Sequence, residues 1–113
     1  MRILFASTDT IAIPLLTLLN EKGLGILVCG SGIGMSICAN KVKGIYCARV
    51  VDGNDAFTAK NHNGANVIAF SSNINTSEIH NIIDNFVMTK EPTEERHLRR
   101  IEKIKEMENN YAN

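Results

Sequence analysis

A chain of 113 residues and 12.4 kDa is one domain's worth of sequence, since single domains commonly run to ~100–150 residues. Twelve Lys and Arg balance twelve Asp and Glu, so the formal charge is zero. That balance argues against nucleic acid or membrane as a partner. With 44% hydrophobic residues and no apolar run of the ~18–20 residues a membrane span needs, disorder and a transmembrane helix are excluded.

Arg2 to Ala6 reads as a buried strand, and Ile11, Leu15, Leu16, Leu18 and Leu19 then recur at helical spacing up to Lys22, with Gly23 as a stop. Gly25 to Cys29 is a second strand, ended by a glycine cluster, and Met35 to Val42 a helix closed by Gly44. Ile45 to Val51 predicts a third strand, Asp55 to Asn61 a helix, and Asn66 to Phe70 a fourth strand. Thr76 or Ser77 can cap a helix running to Met88. After Pro92, Thr93 can cap a last helix on which Leu98, Ile101, Ile104 and Met107 recur every three residues. Twelve of the 24 charges fall between Thr89 and Asn113, so this helix is a narrow apolar stripe on a charged rod. It either lies on its own domain or reaches a partner.

Near-continuous apolar strands alternating with helices predict an α/β fold. The expected architecture is a three-layer sandwich on a small parallel sheet of about four strands, flavodoxin- or Rossmann-like, with a C-terminal helical arm. The body spans 1–88 and the arm 89–113. Met1 to Phe5 lacks the marks of a signal peptide, and three cysteines without a C-x-x-C pair suit a reducing compartment, so a cytoplasmic location is expected.

Ligands of such sheets bind beyond the carboxyl ends of the strands. There the second strand runs into Cys29-Gly30-Ser31-Gly32-Ile33-Gly34, ahead of a helix. Glycines at alternate positions permit a tight turn with consecutive N–H groups exposed, which suits an anion, or else only a turn. The spacing is neither the dinucleotide fingerprint nor a P-loop. Cys29, beside those amides, is either a thiol of lowered pKa, able to act as base or nucleophile, or a small buried hydrophobe. Burial is the expected fate of Cys38 and Cys47. His62 stands among Asn61, Asn63 and Gly64 just before a strand, which predicts an ordered polar loop or a plain surface histidine. Arg96 and Arg100, four apart, either grip a phosphate from one helical face or pair with Glu95 or Glu102.

In order and spacing, the segments Cys29 to Lys41, Lys60 to Asn66 and Arg96 to Arg100 resemble the sugar-phosphate isomerase family of type B ribose-5-phosphate isomerase and galactose-6-phosphate isomerase. The resemblance runs from about residue 25 to the C-terminus. It implies aldose–ketose isomerisation through an enediolate, such as ribose 5-phosphate to ribulose 5-phosphate, with no metal and no cofactor. It implies Cys29 as the base and Ser31 at a usual Thr or Ser position. Gly30, Gly32 and Gly34 would form the anion hole, His62 would open the sugar ring, and Asn63 would bind substrate. Arg96 and Arg100 would hold the phosphate. The family is one of homodimers with sites at the subunit interface.

The first quarter departs from that pattern. The family's first strand ends in an Asp-His pair; here Asp9 can stand for the aspartate, but Thr10 replaces the histidine. From Gly23 the chain enters the glycine-loop strand directly, so about one βα unit is missing and the first strand is expected beside the glycine-loop strand. Residues 1–23 instead resemble the opening of methionyl-tRNA formyltransferase, without its catalytic Asn, His and Asp segment. Tyr46 stands where the isomerases often carry a basic residue. The expectation is an isomerase of incomplete site; the alternatives are a non-catalytic phosphate-binding or dimerising domain and, last, a formyltransferase fragment.

Overall fold

Two apolar runs, Leu24–Val28 and Val67–Phe70, have no polar face to offer water, and they form the middle of a parallel sheet. The computed structural model describes residues 3–6, 15 and 22–111. Its strands are β1 (Ile3–Ala6), β2 (Leu24–Cys29), β3 (Cys47–Arg49) and β4 (Val67–Ser71), in the order β1-β2-β4-β3. All pairings are parallel, with Ile3 opposite Leu24, Gly25 opposite Val67 and Cys47 opposite Val67. β1 lies beside the glycine-loop strand, but the other two strands are exchanged relative to a flavodoxin-like order. The buried β4 takes the centre, and β3 takes the edge. β3 is also shorter than Ile45 to Val51, because an edge strand has one neighbour and pairs here only along Cys47–Arg49.

Side chains alternate across the sheet and build two cores. On one face Leu24, Ile26, Ile68 and Phe70 pack with Ala56, Ala59, Ile82 and Phe86. On the other Leu27, Val67 and Ala69 pack with Leu15, Met35 and Ala39. Apart from Leu15, these partners come from α1 (Ile33–Ala39), α2 (Gly53–Asn63) and α3 (Thr76–Met88). Burying each large apolar side chain contributes about 1.5–3 kcal/mol, so the two faces carry most of the driving force. Of the Ile11–Lys22 helix, only Leu15 and Lys22 belong to the described residues; Leu15 is helical and fully buried.

Caps set where the helices begin and end. Asp52 accepts from the Asp55 N–H at 2.8 Å and starts α2 earlier than Asp55. Asn75, not Thr76 or Ser77, caps α3 by accepting from the Glu78 N–H at 2.8 Å. α4 (Glu95–Tyr111) closes its first turn on the Glu94 carbonyl, which accepts from His97 and Leu98, so its start is set by Glu94 rather than Thr93. α4 lies on its own body: Glu108 accepts from the Gly44 N–H at 2.9 Å and the Tyr46 hydroxyl at 3.0 Å. Ile101 reaches Gly64. These partners stand at the starts of the strands, so α4 crosses the amino edge of the sheet. No helix among the described residues is long and apolar enough to cross a membrane.

Candidate active site

At the carboxyl edge, β2 ends in Cys29 opposite Ser71. The chain must turn at once to enter α1, and Gly32 makes that turn at φ 77°, in the left-handed region. A Cβ at Gly32 would stand 2.8 Å from the Phe70 Cα, so glycine is required twice over, by conformation and by space. The turn folds the Gly32 N–H back onto the Cys29 sulfur at 3.1 Å. Main-chain N–H groups hold the Cys29 thiol below its ordinary pKa. Met35 contributes most, burial opposes it, and Ser31, Gly32 and Gly34 add to it. The sulfur is half-buried and not sealed in the core.

Neighbours brace the loop. The Ser71 hydroxyl donates to the Gly30 carbonyl at 2.7 Å, and Arg49 Nε donates to the Ser31 carbonyl at 3.1 Å. The Ser31 hydroxyl accepts from the Ile33 N–H at 3.2 Å. Sequence reasoning passed over Arg49 and Ser71; the available signal was their place at the carboxyl ends of β3 and β4. Cys38 is exposed, against the expectation of burial, because α1 turns Met35 and Ala39 to the sheet and leaves Cys38 off that face. Cys47 is half-buried, and desolvation pushes its thiol up to about 11.

The remaining candidates gather elsewhere. His62 and Asn63 belong to the last turn of α2 and not to a loop, because Gly64 at φ 65° ends the helix late, with the Ala65 N–H bonded to the Ala59 carbonyl. His62 stacks on His97 of α4, with ring centres 4.2 Å apart, and meets the edge of Phe57 at 5.9 Å. His97 is 6% exposed, and among the described residues its Nε2 has no hydrogen-bond partner, lying 3.4 Å from the Glu94 carboxylate. Burial, then His62 and Arg96, push its pKa down, so its ring is neutral at pH 7. Arg96 pairs with Glu94 at 2.9 Å, rather than with Glu95 or Glu102; Arg100 is exposed on the same helix.

Helix α2 descends from the carboxyl edge to the start of β4, so His62, Asn63, Arg96 and Arg100 stand at the amino edge. Cys29 and the glycine loop stand at the other. A strand of five residues separates the two groups by about 15 Å. One copy therefore assembles a thiol with an amide ring, and separately a histidine with two arginines, but does not bring the two sets together. A hollow of about 410 Å³, lined in part by Tyr46, Ile101 and Lys105, also lies at the amino edge and not beside Cys29. Asp9 lies outside the described residues. Among the described residues, no cluster of three His, Cys, Asp or Glu could hold a metal ion.

Residues 10–104 match the family model described as Ribose/Galactose Isomerase. The match begins inside the stretch whose sequence resembles the formyltransferase opening. The chain is similar to the solved type B ribose 5-phosphate isomerase of Trypanosoma cruzi, at 39% identity and a TM-score of 0.81 over 86% of this chain and 66% of that one. It is similar to ribose-5-phosphate isomerase B of Clostridium thermocellum, at 32% identity and 0.78 over 86% and 66%. The Mycoplasma genitalium enzyme, solved with bound ribulose-5-phosphate, gives 39% and 0.78 over 87% and 66%. The chain thus spans just under two thirds of the length of these relatives. No curated protein matches it.

Proposed function

The chain belongs to the ribose/galactose isomerase family, and from that premise we propose that it binds a sugar phosphate and interconverts aldose and ketose at Cys29. The observation that carries this reading is the Cys29 sulfur at the end of β2, receiving the Gly32 N–H at 3.1 Å amid loop amides that favour its thiolate. As thiolate, Cys29 takes the proton from C2 of the open-chain aldose. The freed electron pair forms the C1–C2 double bond, and negative charge passes to the carbonyl oxygen. Loop N–H groups other than those of Gly32 and Ile33, which Cys29 and Ser31 already engage, serve that charge. A proton passes from the C2 hydroxyl to the C1 oxygen, and the same thiol returns its own proton to C1, which leaves the neutral ketose.

His62 serves ring opening, Asn63 binds the sugar, and Arg96 and Arg100 bind the phosphate. With some 15 Å of sheet between them and Cys29, these groups act on the sugar held by a second copy, so the working unit is a homodimer. The test is conversion of ribose 5-phosphate to ribulose 5-phosphate. Cys29→Ala is expected to lower the rate by at least about 100-fold, the low end of what a positioned base contributes. Undiminished turnover in that variant defeats the assignment.

The partial span of the relatives, with Thr10 in place of a histidine, favours a second reading in which phosphate binding survives and turnover does not. Its signature is a thermal shift with sugar phosphate, lost in Arg100→Ala, from a chain with no isomerase activity.

A further inference from the structure

The peptide joining Ser31 to Gly32 is gripped at both ends. Its N–H donates to the Cys29 sulfur at 3.1 Å, and its carbonyl accepts from Arg49 Nε at 3.1 Å. A planar trans peptide points these two groups in opposite directions, so neither bond can turn away without breaking the other. Arg49 comes from the far edge of the sheet, from the last residue of β3, and its exposed side chain spans to the glycine loop. We infer that Arg49 is a positioning residue for the Cys29 thiolate, acting through the Ser31–Gly32 peptide. This deepens the reading of Cys29 as the base and rests on it.

Two effects follow from the geometry. The first is orientation: loss of the guanidinium frees the carbonyl, and the peptide can swing its N–H off the sulfur, leaving the thiolate short of a donor. The second is polarisation. A cation on a carbonyl oxygen draws electron density along the amide and makes the opposite N–H a stronger donor; hydrogen bonds in such chains strengthen one another by roughly 10–30%. Both effects act on the charged form of Cys29, not on the fold, because Arg49 lies at an exposed edge outside both apolar cores. Ser71 grips the neighbouring Gly30 carbonyl, so the loop stays anchored when Arg49 is removed.

The experiment is the pH profile of iodoacetamide alkylation of the substrate-free protein, read peptide by peptide by mass spectrometry, so that Cys38 and Cys47 are followed apart from Cys29. Arg49→Gln is expected to slow Cys29 alkylation at pH 7.5 by about threefold to tenfold, the loss of thiolate that a midpoint raised by about half to one pH unit produces. The rate at high pH, where every thiol is ionised, should be unchanged, and Arg49→Lys should fall between wild type and Arg49→Gln. A profile in Arg49→Gln that overlays wild type overturns the inference. So does a lower high-pH rate with an unmoved midpoint, which reports altered access instead. Failure of the base assignment is seen separately, as isomerase activity persisting in Cys29→Ala.

Discussion

Gly32 and Gly34 sit two residues apart in one loop and answer to different constraints. At Gly32 an L side chain would meet the left-handed conformation, at about 1–2 kcal/mol. Its Cβ would also press on the Phe70 main chain at 2.8–2.9 Å, in a buried strand that cannot yield. At Gly34, in the first turn of α1, nothing among the described residues lies within 4 Å of an added Cβ. Gly32→Ala is therefore expected to lower unfolding stability by more than about 2 kcal/mol. Gly34→Ala should leave it unchanged or raise it by up to about 1 kcal/mol, as alanine does in a helix. Urea unfolding of the two variants side by side checks this; equal losses would mean that the turn at Gly32 is not under constraint.

At the scale of an element, α4 depends on a few polar bonds as much as on its apolar stripe. Leu98, Ile104 and Met107 remain 42–63% exposed, and Ile101 alone of the four is largely covered. Glu108 pins the far end of the helix to Gly44 and Tyr46. Burial first, and then Glu108 and Glu102, push the Tyr46 hydroxyl from 10.0 up to about 12. Above pH 10 the unfolded chain releases this proton while the folded chain keeps it. The contribution is complete below pH 10 and is lost as pH rises through about 12. Tyr46→Phe should cost about 0.5–1.5 kcal/mol at neutral pH, the worth of one hydrogen bond. It should also flatten the decline in stability between pH 10 and 12, measured by urea unfolding across that range. A decline as steep as that of wild type would place its cause elsewhere.

For the whole molecule, the decisive feature is that two chemically complementary groups occupy opposite edges of one sheet. A two-fold dimer can set the carboxyl edge of one copy against the amino edge of the other twice over. Under the proposed function, Cys29→Ala and His62→Ala are each inactive as pure proteins. Mixed, unfolded and refolded together, they form hybrid dimers with one intact site of two. Random pairing then restores about a quarter of wild-type activity. No recovery, under conditions where hybrids are seen by native mass spectrometry, would mean that each site is built within one chain.

Much of this protein is legible in its sequence because the signals are local. Short apolar runs bounded by glycine or polar residues become β2 and β4, since a segment without a polar face must be covered on both sides. The Cys29–Gly34 turn follows from glycine's access to positive φ, and the family resemblance is carried by the same short stretch. Helix limits moved by up to three residues: Met35–Val42 became Ile33–Ala39, while Asp52, Asn75 and Gly64 compete as caps with equally plausible neighbours. What the tertiary structure alone decided is relative placement. Nothing local says that β4 inserts between β2 and β3, that Arg49 thereby reaches Ser31, or that His62 stacks on His97. Nor does the chain order reveal that His62 ends a descending helix, a full strand away from the thiol that precedes it by 33 positions. Such facts depend on contacts between distant segments, and these are chosen by the packing of the whole sheet rather than by any one residue's preference.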